Sequence, residues 1–323
     1  MPGSKVIVTG AGGFIGQWVA KNLQQVGYDV TGLARSALEP CSFRAVSGFE
    51  LGAPSDLSGV LDGADAIVHC AARVHLMDDS VSDPLAEFRR VNVLGTLALA
   101  RQAAECGVRR FVFISTVKIN GEQTLPGEAF SVRCRDAPQD PYGQSKMEAE
   151  QGLHKIAQQT GMEVVIIRPP LVYGPGVKGN FLMLLKLANS ALPLPFGSIR
   201  NRRSMVYVEN LVSMIVCVID HPRAGDRTFL VSDGEDLSTT RLFAEIRRFL
   251  GRKNRLFPVP TGLLFFMGTV FGKRAMIDRL CGSLQIDIGY AREVLDWKPP
   301  ISTRVGLEKT ATDFNQSSAR RAL

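Results

Sequence analysis

In YGQSK, Tyr142 and Lys146 stand one helical turn apart, so their side chains share a face and bring an ammonium close to a phenol. Such a neighbour favours phenolate, drawing a tyrosine from its usual value of about 10 towards working pH and making it an acid and a base. In FVFISTVKINGE an apolar run ends on Ser115 and Thr116, and the Thr116 hydroxyl is placed to hold a substrate oxygen against that phenol. The third motif, TGAGGFIG, sets Gly10, Gly13 and Gly16 between the first apolar run and a helix start. Glycines there permit a tight turn and let a pyrophosphate approach the backbone N–H groups of a helix end, which carries partial positive charge. Taken together, these residues suit acid–base chemistry at a substrate oxygen beside a bound dinucleotide, with Tyr142 moving the proton.

The elements that must position them alternate along the chain. KVIVTG, YDVTGLA, AIVHCAA, RRFVFIST and EVVIIRP read as strands, separated by helical patterns at Ile15 to Val26, Phe88 to Cys106 and Tyr142 to Thr160. This rhythm predicts an α/β fold, a Rossmann-type doubly wound parallel sheet with helices on both faces. After Arg168 the rhythm breaks down. Residues 169–205 are rich in Pro, Gly and Asn, and the stretch from 237 onward reads as helices and loops, while MVYVENLVSMIVCVI and TFLVSDG look like a return to the first unit. The expected organisation is a nucleotide-binding domain over 1–168, with 206–235 returning to it. A smaller, discontinuous C-terminal substrate lobe from 169–205 and 236–323 completes it, with a ligand cleft between the two.

The cofactor expectation extends beyond the glycines. Phe14 and Ile15 open the helix behind them, Glu50 and Leu51 are placed to meet the adenine, and Ala71 belongs to a small-residue strand end that a cofactor passes closely. Asn92 is expected in a helix beneath the cofactor, and Pro169, after the strand EVVIIR, completes the cofactor-binding set. His69 reads as a packed strand-end residue. NAD-selective folds usually carry an acid at the end of the second strand, to accept from the ribose 2′-OH. Here that end is LARS, with Ala34 at the acid's place and Arg35 able to pair with a 2′-phosphate, so NADP(H) is favoured over NAD(H).

Composition limits the alternatives. The 323 residues are 45% apolar and 21% charged, ordinary for a soluble globular chain. The formal charge of +7 comes from scattered cations with only short concentrations, which argues for a small anionic ligand and against nucleic acid. Six cysteines lie far apart, without a CxxC pair or a signal peptide, so neither a disulfide framework nor a zinc site is expected, and a reduced cytoplasmic protein is the simplest reading. The most apolar run, Leu263 to Phe271, is far below the roughly 20 residues that span a bilayer. A buried or capping helix is expected there in preference to one resting on a membrane surface.

With these motifs in view, the chain resembles the extended short-chain dehydrogenase/reductase family, in its nucleotide-sugar-modifying group. The resemblance rests on TGAGGFIG, HCAA, NVLGT, FISTVKINGE, YGQSK, RPPLVYGP, RSMVYVENL and VLDWKPP, which span nearly the whole sequence. It implies that the glycine motif binds NAD(P), that Thr116, Tyr142 and Lys146 are the catalytic set, and that the substrate is a sugar on a nucleoside diphosphate. It also implies that Asn180 and Arg203, and more weakly Arg279, contact that diphosphate. Family members often dimerise through two sheet-flanking helices, here Pro84 to Cys106 and Tyr142 to Thr160, so a homodimer is expected.

In that family, 4,6-dehydratases follow the catalytic Thr with an Asp and a Glu that move protons at C5 and C6. This chain has Val117 and Lys118 there, which leaves chemistry needing one hydride and one proton. STVKINGE and AARVHLM look most like the 4-ketoreductase branch, which turns a UDP-4-keto-6-deoxy-N-acetylhexosamine into UDP-N-acetylquinovosamine for surface polysaccharide synthesis. Asn120, where many epimerases have Tyr before Gly, and the missing acid after the second strand favour that reading. The alternative is a 4-epimerase of UDP-N-acetylglucosamine or UDP-glucose. Lys118 is expected either to reach the sugar or to point into solvent.

Overall fold

Apolar residues run almost unbroken through KVIVT, RFVFI and EVVIIR, the pattern of strands covered on both faces. The computed structural model describes residues 3–39, 41–74, 83–125, 127–133, 138 and 140–322. Its strands are β1 (Lys5–Thr9), β2 (Asp29–Leu33), β3 (Arg44–Val46), β4 (Ala66–His69), β5 (Arg110–Ile114), β6 (Glu163–Arg168), β7 (Leu171–Tyr173), β8 (Met205–Tyr207) and β9 (Thr228–Leu230). Among the described residues seven of them form one sheet in the order β3-β2-β1-β4-β5-β6-β9, every pair parallel. β7 and β8 pair separately, so the start of MVYVENL lies outside the large sheet. The strand order reverses between β1 and β4, the crevice where such sheets take ligands.

Helices cover both faces. They are, in chain order, α1 (Phe14–Gln25), α2 (Ser58–Leu61), α3 (Pro84–Phe88), α4 (Thr96–Glu105), α5 (Pro141–Thr160), α6 (Gly179–Asn189), α7 (Val208–Asp220), α8 (Thr239–Phe249), α9 (Thr261–Val270), α10 (Arg274–Cys281), α11 (Gly289–Leu295) and α12 (Thr303–Ala322). Strand alternation divides the core. Val6, Val8, Val112 and Ile114 pack with residues of α1 and α7, while Ile7, Phe111, Phe113 and Ile166 pack with residues of α4 and α5. A third cluster, including Tyr173, Phe181, Tyr207 and Phe243, joins the small sheet to α6, α8 and α12.

Two helices differ from their sequence patterns in ways that matter below. The expected helix from Phe88 to Cys106 contains a π-helical stretch, Arg89–Gly95, between α3 and α4. Such stretches are rare and occur often at functional sites. The run Leu263 to Phe271 is helical but is not a buried helix. Leu264 and Gly268 of α9 are buried and Phe265 is partly buried against the third cluster, and a Cβ at Gly268 would stand 2.7 Å from Ile277 Cγ1 of α10. Leu263, Phe266, Met267 and Val270 face out, because no described element lies over that side.

Candidate active site

The glycine motif folds as its residue types dictate. Gly10 takes φ +70, a left-handed conformation that favours glycine, and a Cβ there would lie 2.8 Å from Ala71 N. A Cβ at Gly16 would sit 2.1 Å from Gly10 O, so helix and turn meet without room for a side chain. Gly13 caps α1 with no side-chain acceptor, and the first turn has no acidic residue. The opening N–H groups of α1, at Phe14, Ile15 and Gly16, therefore lack an internal partner. An unblocked helix start at the strand-order switch fits the pyrophosphate of a dinucleotide.

Around this cradle the other expected cofactor residues are variously placed. Arg35 is exposed just past β2 and makes no ion pair with a described residue. Glu50 and Leu51 line a pocket of about 420 Å³ with Arg90, Leu94 and Gly95. Asn92 is buried, but both ends of its amide are already engaged. It accepts from Arg73 N at 2.8 Å and donates to Arg73 O and Ser145 Oγ, both at 3.0 Å. Its observed task is to fasten the segment after β4 to α5 from the π-helical stretch. His69 is packed, as expected of a strand end, between Thr9 Oγ1 (2.6 Å) and Thr96 Oγ1 (3.0 Å) and beside Phe111 and Phe113. Burial lowers its pKa to about 3, which keeps it neutral. Of the AARVHLM segment, His75 to Met77 lie outside the described residues, as does Cys134.

The catalytic candidates come together from β5 and α5. α5 is a strongly specified helix: Asp140 caps it by accepting from Gly143 N at 3.1 Å, Pro141 occupies its first turn, and Gly161 ends it at φ 75. That start fixes Tyr142 in the first turn and Lys146 one turn later. Thr116 caps the short 3-10 turn Val117–Ile119, its Oγ1 accepting from Lys118 N at 3.3 Å. Val117 N donates to Pro169 O at 3.0 Å, which carries the β5–β6 pairing up to the site.

The electrostatics differ from the sequence expectation. Burial, and then the Asp140 carboxylate, raise the Tyr142 phenol above its ordinary value. Lys146 does not reverse this. Its buried ammonium donates to Ile114 O at 2.8 Å, lies 4.2 Å from the centre of the Phe113 ring, and is itself drawn down to about 8, chiefly by burial. The phenol therefore stands protonated, as a donor awaiting a substrate oxygen.

Lys118 is neither a free loop cation nor seen reaching into the cleft. Its Nζ pairs with Asp140 Oδ2 at 3.0 Å, so its backbone holds Thr116 while its side chain holds the cap of the helix bearing Tyr142. The pair is half-exposed, at 38% and 27% for the two side chains, and such pairs add little stability. Replacing Lys118 by Ala should leave the melting temperature nearly unchanged. It should lower kcat by roughly two- to fivefold, the size of an ion pair of this exposure, because Asp140 then acts uncompensated on Tyr142. Thermal melts and steady-state kinetics check both parts.

The substrate-side candidates are more dispersed. Arg203 is half-buried, and its Nη1 donates to Arg279 O at 2.9 Å and Gly282 O at 3.0 Å, so it is a fixed group and no loose surface charge. Burial lowers its pKa. Asn180 is exposed in the first turn of α6, and the Arg279 side chain is exposed on α10. Sequence reasoning missed a buried network beneath Thr116. Ser115 Oγ donates to Glu150 Oε1 at 2.5 Å, Arg168 grips both Glu150 oxygens, and Arg168 Nη1 donates to Asn120 Oδ1 at 3.1 Å. Asn120 in turn donates to Ser131 O at 2.9 Å. The signal available was Arg168, a charged residue closing the apolar run VVII of β6, whereas Glu150 lies in the polar helix α5, where nothing in the pattern singles it out.

Comparison with known proteins agrees with this geometry. Residues 6–232 match the model of the NAD dependent epimerase/dehydratase family. The chain is 44% identical over 322 residues to a UDP-glucose 4-epimerase of Vibrio cholerae, covering 99% of this chain and 98% of that one. Among solved structures, UDP-glucuronic acid 4-epimerase from Bacillus cereus in complex with NAD superposes with a TM-score of 0.77 at 22% identity, over 97% of this chain and 99% of that one. UDP-N-acetylglucosamine 4-epimerase from Bacillus cereus gives a TM-score of 0.77 at 20% identity, over 96% and 98%. Strand order, glycine cradle and family match converge: the chain belongs to the NAD dependent epimerase/dehydratase family.

Proposed function

We propose that this enzyme is a UDP-sugar 4-epimerase, acting on UDP-glucose or UDP-N-acetylglucosamine. The observation that carries this reading is the 44% identity along 99% of the chain to the Vibrio cholerae UDP-glucose 4-epimerase. The site is compatible with it. Epimerisation at C4 needs one proton relay: Tyr142 must first shed the proton it carries at rest, after which its phenolate takes the proton of the C4 hydroxyl as the ketone forms and returns it when the inverted carbinol is restored. Thr116 orients the C4 oxygen, and Lys146 supplies positive charge beneath the phenol. A nicotinamide dinucleotide, held at Gly10, Gly13, Gly16 and the start of α1, provides a reversible hydride acceptor. Arg203, with Asn180 and Arg279 as further candidates, meets the diphosphate. No carboxylate follows Thr116: Val117 is buried and Lys118 is paired with the helix cap, so dehydration at C5 and C6 has no acid–base pair there.

The structure weakens one argument for a net ketoreductase. Asn120 does not serve as a sugar-facing substitute for Tyr, because its amide is spent on Arg168 and Ser131. A second observation still favours reduction: the exposed Arg35, which makes no ion pair with a described residue, and the missing acid at the end of β2 suit a 2′-phosphate, and hence consumption of NADPH. One experiment separates the two. Purified protein incubated with UDP-glucose or UDP-N-acetylglucosamine and no added cofactor should yield the galacto epimer by NMR. Absence of that product, together with NADPH oxidation on a UDP-4-keto-6-deoxy-N-acetylhexosamine, would reverse the assignment.

A further inference from the structure

α9 is apolar on both sides. Leu264 and Gly268 pack inward, while Leu263, Phe266, Met267 and Val270, at the i, i+3, i+4, i+7 spacing of one helical stripe, are exposed. Phe271, just past the end of α9, and Met276 of α10 are exposed as well. Phe266, Val270 and Phe271 are 65%, 62% and 68% exposed, too open for residues that merely edge a core. A helix that is hydrophobic all round belongs against a protein core or a membrane, and a contiguous exposed patch of this kind marks a contact surface.

The surrounding charge identifies the occupant. Between Gly251 and Leu280 the sequence carries six Lys and Arg against a single acid, Asp278. That acid is taken by Arg274 at 3.1 Å, and Arg274 also lies over the Phe265 ring at 4.6 Å, tying the two helices together. Lys253 and Lys273, on the two sides of α9 in sequence, are exposed and make no ion pair with a described residue. The segment bearing Arg252, Lys253 and Arg255 is pinned to residues 194–197 by backbone bonds from Leu194 N to Arg255 O (2.9 Å) and from Phe257 N to Leu194 O (3.0 Å). Arg252 and Arg255 of that segment donate to Asn189 Oδ1 and Ala191 O, which leaves Lys253 exposed ahead of α9 and Lys273 exposed directly after it, in the turn to α10.

We infer that the α9–α10 hairpin is a peripheral docking surface for an anionic lipid bilayer. Its aromatic and aliphatic side chains enter the headgroup region and its flanking Lys and Arg meet lipid phosphates. The hairpin lies on the surface and does not cross it, since no helix of the described residues is long and apolar enough to span a membrane. A second copy of the chain fits less well. A two-fold contact through this patch would set one basic rim against the other with no acidic face to receive it. A bilayer rich in anionic lipid supplies the opposite charge and an apolar interior at once.

Co-sedimentation of the full chain with vesicles tests this. Protein should pellet with vesicles of phosphatidylglycerol and phosphatidylcholine and remain in the supernatant with phosphatidylcholine alone. Binding should weaken as salt is raised past 0.1 M, where charges are screened beyond about 10 Å. Each Lys or Arg near an anionic surface contributes about fivefold in affinity, so Lys253→Glu with Lys273→Glu should lower binding by at least about 25-fold. Phe266→Glu with Phe271→Glu should abolish pelleting while leaving turnover of a soluble substrate unchanged, which also shows that the variant folds. Wild-type protein that stays in solution with anionic vesicles at low salt overturns the inference. So does a wild-type oligomer that Phe266→Glu with Phe271→Glu converts to a smaller species in light scattering, which would make the patch a self-interface.

Discussion

Replacing Tyr142 by Phe should lower kcat by roughly 10²- to 10⁴-fold, the usual contribution of a positioned general acid and base, with cofactor affinity and melting temperature almost unchanged. The expectation of intact stability comes from the site. The Tyr142 ring packs edge-on against Phe88 at 6.1 Å, a contact that Phe retains, and the hydroxyl makes no hydrogen bond to a described residue that its loss would orphan. Stopped catalysis in a folded, cofactor-binding variant would establish the role, and near-normal turnover would exclude it. A pH profile adds a second readout. Lys146 is held at about 8, so the ammonium proposed to support the phenol is present below that pH and is lost as pH rises through it. The kcat/KM of the native enzyme should therefore decline on the alkaline side of about 8. The stability sign is opposite. A buried ammonium whose pKa falls from 10.5 to about 8 is a penalty on folding that is complete below pH 8 and is relieved as pH rises between the two values.

The arrangement of the candidate catalytic residues was legible because each member belongs to a local pattern. Tyr142 and Lys146 share a helix face by spacing alone, and Gly10, Gly13 and Gly16 are required where backbone meets backbone, at Ala71 and at Gly10 O. The alternation of strand and helix likewise fixed the parallel sheet. What escaped was everything set by contacts distant in sequence. Lys118 finds Asp140 only because the 3-10 turn after β5 lies against the start of α5. The same Asp140, with burial, raised the phenol that an i, i+4 argument had lowered, since spacing shows which groups share a face but not what solvent they lose. α9 failed for another reason. An all-apolar helix says that something covers it, but the pattern does not say whether the cover belongs to the same chain.

The largest stability effect should come from the network that no motif announced. Glu150 and Arg168 are almost fully buried, and Arg168 is the cation that neutralises Glu150 and also satisfies Asn120. Arg168→Met leaves a buried carboxylate whose remaining hydrogen bond among the described residues comes from Ser115 Oγ, with the Lys146 ammonium still acting on it through space. Breaking a buried pair in this way costs about 3–5 kcal/mol. Glu150→Leu should cost a similar amount by stranding the guanidinium. The double variant should lose far less than the sum of the two, because neither charge is then buried alone. Urea denaturation of the three variants gives the coupling directly, and additive losses would show that the pair is not one unit. The network also explains why its cost is tolerated. Ser115 precedes Thr116 at the end of β5, and Glu150 stands one turn beyond Lys146 on α5. The buried pair therefore ties together the two elements whose separation sets the distance between the Thr116 hydroxyl and the Tyr142 phenol. Loosening that tie should lower kcat in whatever fraction of the Arg168→Met protein remains folded, whereas a purely structural pair would change only the folded fraction.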